Sequence, residues 1–173
     1  MKWIALIASA LVLWSCTKES KEPVEATKTK TNLPSGLFVS ASPQNAIPVL
    51  EARKLKAGDK VVVHGKVMGS KHPFVEGRAL FIIGDPEKLK SCDTRPGDDC
   101  PEPWDVCCET TEDIAAGTVS VQVLGEDGRP LRTGIKGQNG LDNLSNVVIE
   151  GTVAKNTTEA AMTINADKIY IKK

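Results

Sequence analysis

Five separate stretches of the chain have the hydrophobic pattern of β-strands. In the first, residues 60–68, Val61 and Val63 fall on one side while His64 and Lys66 fall on the other. The remaining stretches are residues 78–83, 118–124, 146–154 and 161–172. Apolar residues at every second position, many of them β-branched and bounded by Gly, Asp or Asn, are typical of strands. The pattern therefore predicts five short β-strands.

A short helix is predicted ahead of these strands, over residues 45–55. Asn45 is a favourable N-cap residue, and Pro48 suits the first helical turn. The residues spaced to share its buried face are Ile47, Leu50 and Leu55. Two glycines, Gly65 and Gly151, fall inside predicted strands, where a tightly curved barrel needs bulges or a close approach of two backbones.

Three stretches after this helix resemble small bacterial periplasmic OB-fold proteins. They are GDKVVVHGKV at residues 58–67, VVIEGTV at residues 147–153 and ADKIYI at residues 166–171. The last strand is expected to carry a bulge near Ala166 and Asp167. The resemblance, which covers roughly residues 45–84 and 118–172, implies a mainly β fold. We expect a five-stranded OB-like barrel with a short N-terminal helix and a Cys-rich loop.

OB barrels bind polymers or small ligands on one face and its adjoining loops. The cysteine-rich insertion departs from the pattern of these proteins, so no ligand site is carried over from them. Fold alone also leaves the function open.

The first sixteen residues have the layout of an export signal. Lys2 is followed by an apolar run over residues 3–14, which is too short to span a bilayer comfortably. The run ends in Leu-Trp-Ser-Cys at residues 13–16, which resembles a bacterial lipobox. The resemblance implies cleavage before Cys16 and lipid, including palmitate, on that residue. An ordinary secretory signal or an uncleaved anchor is the alternative.

These features divide the chain into three parts. Residues 1–15 are predicted to be a lipoprotein signal peptide, and residues 16–36 a flexible tether, because Lys, Glu, Thr and Ser dominate there. Residues 37–173 form the predicted barrel domain, with a Cys-rich insertion at residues 84–111. We expect the protein in the cell envelope, lipid-anchored on the periplasmic face or at the outer membrane.

The charge balance argues against nucleic acid as a partner. The chain has 22 basic and 22 acidic residues, whereas nucleic-acid binding depends on a basic excess. The stacking candidates in the barrel are few: Phe74, Phe81 and Tyr170. Basic residues at Lys66, Lys71, Arg78, Arg129, Arg132 and Lys136 are candidates for gathering on one barrel face. The expected partners are the membrane, through lipid on Cys16, and an envelope protein or glycan.

Four cysteines, Cys92, Cys100, Cys107 and Cys108, lie in the insertion. An even number in an exported protein predicts two disulfides. A bridge between the adjacent Cys107 and Cys108 is strained, so each is expected to pair with Cys92 or Cys100. A zinc site is the rival, although the Cys-x2–4-Cys spacing typical of zinc sites is absent. The Cys-x-x-Cys spacing of a thiol redox centre is absent too.

Trp104, between Cys100 and Cys107, has two interpretations. A braced loop presents it to a partner as an aromatic anchor, or it folds back over the barrel mouth or the cysteines. Two basic residues, Lys66 and Arg78, are the other predicted binding residues. The chain contains no P-loop, nucleophile elbow or dinucleotide fingerprint, so no catalytic residue and no cofactor are predicted.

The sequence thus predicts a non-catalytic, lipid-anchored binding or accessory module of the envelope. The alternative is a periplasmic metal- or haem-handling protein that uses His64, His72 or the cysteines.

Overall fold

A computed structural model describes residues 32–158 and 160–173. The predicted signal peptide, the lipidation site at Cys16 and the predicted tether up to residue 31 lie outside the described residues. Within the described part of the chain, no helix combines the length and the apolar character that crossing a lipid bilayer requires.

Six strands of the described residues form one sheet. They are β1 (Ile47–Pro48), β2 (Lys60–Lys66), β3 (Leu80–Gly84), β4 (Thr118–Gln122), β5 (Asn146–Val153) and β6 (Thr163–Ile171). Strand β2 pairs with both β3 and β5, and the order β2-β3-β4-β6-β5 closes the sheet into a five-stranded barrel. Strands β4 and β6 run parallel, and the other four pairings of the barrel are antiparallel. The predicted OB-like barrel is confirmed.

The interior of the barrel is built from the alternating positions that the sequence indicates. Every second residue of β2, β4 and β5 is buried. Val63, Phe81 and Ile149 are fully inaccessible to solvent. Since aromatic residues make up only 4% of the chain, aliphatic side chains dominate this core and supply its hydrophobic stabilisation.

The predicted bulge lies between β5 and β6. Glu150 pairs with Lys168 while Gly151 pairs with Ala166, so that Asp167 is an extra residue on β6. A Cβ atom on Gly151 would overlap the carbonyl oxygen of Asn165. The close backbone approach expected at this glycine is therefore confirmed.

The N-terminal helix is shorter than predicted. Helix α1 (Val49–Ala52) is a single turn, and it buries Val49 and Ala52. Of the three residues predicted from spacing, Ile47 and Leu55 lie outside the helix and pack, partly buried, against the core, and Leu50 is half-buried. Asn45 has a φ of 59° and does not cap it. The reason is that Ile47 and Pro48 pair with β2 as a strand, which delays the helix and rotates its buried face.

A second helix, α2 (Thr111–Gly117), was not predicted. Thr110 is its N-cap: the backbone N–H of Asp113 donates to the Thr110 hydroxyl at 3.0 Å. The same hydroxyl donates to the Asp113 carboxylate at 2.9 Å. Thr110 followed by Asp113 and an apolar residue is a start signal of the capping-box kind, and the density of cysteine and proline before it obscured the signal.

Candidate functional site

The cysteine-rich insertion is fastened to the barrel by charge. The Lys66 ammonium group on β2 lies 2.9 Å from a carboxylate oxygen of Asp93 and 3.2 Å from the hydroxyl of Ser91. Only 12% of the Lys66 side chain is exposed. The structure thus places this predicted binding residue under the insertion, where its charge is already paired.

Burial and hydrogen bonding act in opposite directions on Asp93. Burial works to raise the pKa of its carboxyl group, but the hydrogen bonds from Ser91 and Lys66 outweigh it and hold the pKa below its ordinary value. Asp93 therefore stays ionised and keeps the ion pair intact at neutral pH.

A small apolar cluster fastens the other side of the insertion. Val106, Leu89 and Met68 are buried together, and Ile114 of α2 packs against them. The N–H of Gly69 also donates to the carbonyl of Trp104 at 3.4 Å. These contacts bring the segment around Trp104 against the loop that follows β2.

Hydrogen bonds and an ion pair also join different parts of the insertion to one another. The Cys92 N–H donates to the Asp105 carbonyl at 2.9 Å, and the Asp93 N–H donates to the Pro103 carbonyl at 2.8 Å. An ion pair of 2.6 Å joins Arg95 to Glu109. The two arms of the insertion, on either side of Cys100, are held together without any covalent bridge.

Three of the four insertion cysteines converge. The sulfur atoms of Cys92, Cys100 and Cys107 all lie within 4.8 Å of one another, and those of Cys92 and Cys107 are 3.7 Å apart. The sulfur of Cys108 is 4.0 Å from that of Cys107. A disulfide needs about 2.05 Å, so the two predicted disulfides are not formed and all four residues are free thiols.

The thiols differ in access to solvent. Cys92 is buried, Cys100 is half-buried, and Cys107 and Cys108 are exposed. Burial raises the pKa of the Cys92 thiol, and hydrogen bonds with Cys100 and Cys107 raise it further. At neutral pH this sulfur carries its proton, so it is a weak nucleophile until an ion or a base removes that proton.

A cleft of about 280 Å³ lies beside the insertion. The side chains that matter for recognition there are Lys71, His72, Phe74, Trp104, Lys136 and Asn143. The indole N–H of Trp104 donates to the Lys71 carbonyl at 2.9 Å, which fixes the ring. Trp104 is thus half-buried and forms a wall of the cleft, a position between the two predicted alternatives.

Two aromatic rings of the cleft share one cation. The Lys136 ammonium lies 5.8 Å from the ring centre of Phe74 and 5.9 Å from that of Trp104. Phe74 in turn stacks on the core residue Phe81, with ring centres 5.7 Å apart. Cation–π contacts within about 6 Å are favourable, so Lys136 holds both rings in a defined arrangement.

The cleft also contains a buried acceptor without a partner. The side-chain oxygen Oδ1 of Asn143 is buried and has no hydrogen-bond partner among the described residues. Most buried polar atoms in proteins are paired, and an exception calls for an explanation. A ligand hydroxyl or amide that donates to this oxygen would supply one.

The other predicted site residues lie elsewhere. His64 lines a separate cavity of about 500 Å³ with Tyr170 and Lys172, whereas His72 belongs to the aromatic cleft, so the two histidines do not share a cavity. Arg78 lines a third cavity beside Arg129 and Arg132. Of the predicted binding residues, only Trp104 lies on the aromatic cleft.

Sequence reasoning did not single out Asn143, because an asparagine in a Gly- and Asn-rich loop has the pattern of a turn. Phe74 and Lys136 were visible as an aromatic and a basic residue, but nothing in their spacing placed them beside Trp104.

No protein-family model, curated protein or solved structure matches this chain.

Proposed function

We propose that this protein is a non-catalytic binding module of the cell envelope, exported and anchored by lipid on Cys16, whose aromatic cleft binds a glycan. One observation carries the ligand assignment: Trp104 and Phe74 share Lys136 in a cleft that also contains the unpartnered Oδ1 atom of Asn143.

The chemistry of this cleft suits a sugar ring. A pyranose presents an apolar C–H face and a rim of hydroxyl groups, and aromatic rings that are apolar yet adjoin polar groups match both. The Trp104 ring is fixed through its N–H, so stacking costs little further side-chain entropy. A sugar hydroxyl then donates to the Asn143 oxygen. Lys136, which is also 3.4 Å from an Asp142 carboxylate oxygen, adds positive charge to the cleft.

The size of the cleft sets the scale of recognition. Its volume of about 280 Å³ is just below the roughly 300–1,000 Å³ of small-ligand sites. We therefore expect it to hold one sugar unit at a time on a longer chain. The loops of OB barrels are common places for oligosaccharide binding.

The glycan assignment is tested with the full-length lipoprotein in detergent. Chitooligosaccharides and soluble peptidoglycan fragments are titrated by isothermal calorimetry. We expect Trp104→Ala and Asn143→Ala to weaken binding about tenfold or more, as loss of a central contact does. Arg78→Ala, in a different cavity, is the matched control and should bind as the parent protein does.

Two results would reject the glycan. One is the absence of binding to any of these sugars. The other is sugar binding that is equally strong in Trp104→Ala. Capture of an envelope protein that depends on Trp104 would instead assign the cleft to a protein partner.

The anchor has its own test. Palmitate labelling of the expressed protein should be present, and the substitution Cys16→Ser should abolish it and release the protein from membranes. Because lipid supplies the attachment, high salt should not release the parent protein. Unchanged processing of Cys16→Ser would refute the lipobox assignment while leaving the glycan proposal intact.

A further inference from the structure

We propose that Cys92, Cys100 and Cys107 form a binding site for one Cu(I) ion. This site is distinct from the aromatic cleft, and it does not depend on glycan binding. The sequence predicts disulfides for the same cysteines, but the structure brings three of their sulfur atoms within 4.8 Å of one another.

The spacing of the sulfur atoms matches metal coordination. A metal–sulfur bond of about 2.3 Å places two thiolate ligands about 3.8 Å apart in a tetrahedral site and about 4.0 Å apart in a trigonal one. The sulfur atoms of Cys92 and Cys107 are already 3.7 Å apart. The Cys100 sulfur lies within 4.8 Å of both, so the three atoms form a triangle close to the size that a trigonal ion needs, whereas a disulfide needs a much shorter approach.

The donor set selects the ion. The group contains three sulfur atoms and no histidine or carboxylate ligand. Soft thiolates favour Cu(I) and Zn(II) over hard cations. Structural zinc is almost always four-coordinate, while Cu(I) is stable with three thiolates in a trigonal arrangement. Three converging thiols therefore fit Cu(I) better.

The protein backbone fixes the ligands before any ion binds. Cys92 is held by its N–H bond to the Asp105 carbonyl at 2.9 Å. Cys100 is held by its N–H bond to the Asp98 carboxylate at 2.8 Å. Cys107 follows Val106, which is buried in the small apolar cluster. Because the ligands are ordered in advance, little conformational entropy is lost on binding.

The surroundings attract cations. Residues 92–109 contain six acidic side chains. Three of them are paired with Lys66, Lys71 and Arg95, and the other three, Asp98, Asp99 and Asp105, have no ion pair among the described residues. An excess of negative charge raises the local concentration of positive ions. The exposed Cys107 gives the ion an entrance from solvent, and the buried Cys92 forms the floor of the site.

The binding step exchanges protons and no electrons. Cu(I) forms three Cu–S bonds, each of the three thiols loses its S–H bond, and the three protons pass to solvent. The ion enters and leaves as Cu(I). Cys108 lies on the solvent side, 4.0 Å from the Cys107 sulfur, and is not part of the converging group.

The test uses the full-length reduced lipoprotein in detergent under an inert atmosphere. Cu(I) is supplied as its complex with a coloured chelator. The protein competes with the chelator for the ion, and the loss of colour measures the Cu(I) that the protein has bound. We expect one Cu(I) per chain and sulfur-only coordination by copper X-ray absorption. Cys100→Ser and Cys107→Ser should each weaken binding about a hundredfold or more, since even the partners of ligands are worth about 10–100-fold.

Cys108→Ser is the matched control, because it removes an adjacent exposed thiol and should change affinity less than about threefold. Cys107 is exposed, so Cys107→Ser keeps the experiment informative if changing the buried Cys92 impairs folding. Equal losses in Cys108→Ser and Cys107→Ser would overturn the three-ligand site.

Two other results would also overturn the proposal. In the first, Zn(II) binds with four ligands and displaces Cu(I). In the second, the protein isolated from cells has two disulfides, about 2 Da lighter per bridge, and binds no Cu(I) after reduction. Neither result bears on the Trp104 cleft, so failure here is distinct from failure of the glycan proposal.

Discussion

Gly151 is a position where the barrel tolerates no side chain. A Cβ atom there would overlap the carbonyl oxygen of Asn165 on the neighbouring strand. Both residues belong to strands of a closed barrel, and these strands cannot move apart freely. We expect Gly151→Ala to lower the free energy of unfolding by about 1–3 kcal/mol, the usual range for overpacking. Urea unfolding followed by circular dichroism measures this.

Gly134→Ala is the matched control for that substitution. A Cβ atom at Gly134 meets no atom within 4 Å, so the free energy of unfolding should change by less than about 0.5 kcal/mol. Because an unfolded-chain effect of alanine is stabilising, a comparable loss in both variants would mean that the close approach at Gly151 is not its cause.

The environment of some single residues could be predicted from the sequence, and that of others could not. The period-two pattern identifies Val61 and Val63 as interior because a strand has only two faces. The place of Lys66 depends on whether Asp93, 27 positions later, folds back to it. Local pattern contains no information about such a return, so a residue predicted to bind a partner proves to fasten the insertion.

At the scale of elements, the strands were predictable and the helices less so. Each strand repeats a strong local signal over several residues, and the bulge lies at Asp167, near the position predicted for it. Helix α1 is a single turn whose start is set by pairing of Ile47 with β2, which is a tertiary contact. For short helices, tertiary context outweighs intrinsic propensity.

The start of α2 makes stability depend on pH. A hydrogen bond from Lys88, which has the larger effect, and one from Thr110 hold the pKa of Asp113 below its ordinary value of 3.8. The folded state therefore binds this proton more weakly than the unfolded state does. The stabilisation from Asp113 is fully present above about pH 5 and is lost as the pH falls through the lowered pKa.

We expect Asp113→Asn to be less stable than the parent protein at pH 6, with the difference shrinking toward pH 3. Thermal unfolding across that range measures it. Glu112→Gln is the control, because Glu112 is an exposed acid of the same turn and should show a smaller, flatter difference. A gap between parent and Asp113→Asn that does not change with pH would refute the assignment.

At the scale of the whole molecule, the barrel and the insertion have separate cores. The large core cluster contains residues of the barrel strands and the segments around them, and none from residues 91–108. The insertion instead uses the small cluster of Met68, Leu89 and Val106. The fold was therefore predictable from the strand pattern, while the convergence of Cys92, Cys100 and Cys107 was not, because the insertion has no periodic pattern.

This separation predicts that the barrel folds without the insertion. Lys90 and Glu109 lie close together, since the N–H of Lys90 donates to the Glu109 carboxylate at 3.1 Å, so two glycines suffice to replace residues 91–108. We expect the shortened chain to unfold cooperatively. Its free energy of unfolding should be about 2–4 kcal/mol lower than that of the parent protein, because Val106 is lost and its buried neighbours become exposed. The β-sheet circular dichroism signal should persist, whereas Cu(I) and sugar binding should both disappear with the cysteines and Trp104. A shortened chain without a cooperative transition would instead make the insertion part of the barrel's folding unit, since the large core would then be insufficient to fold the barrel.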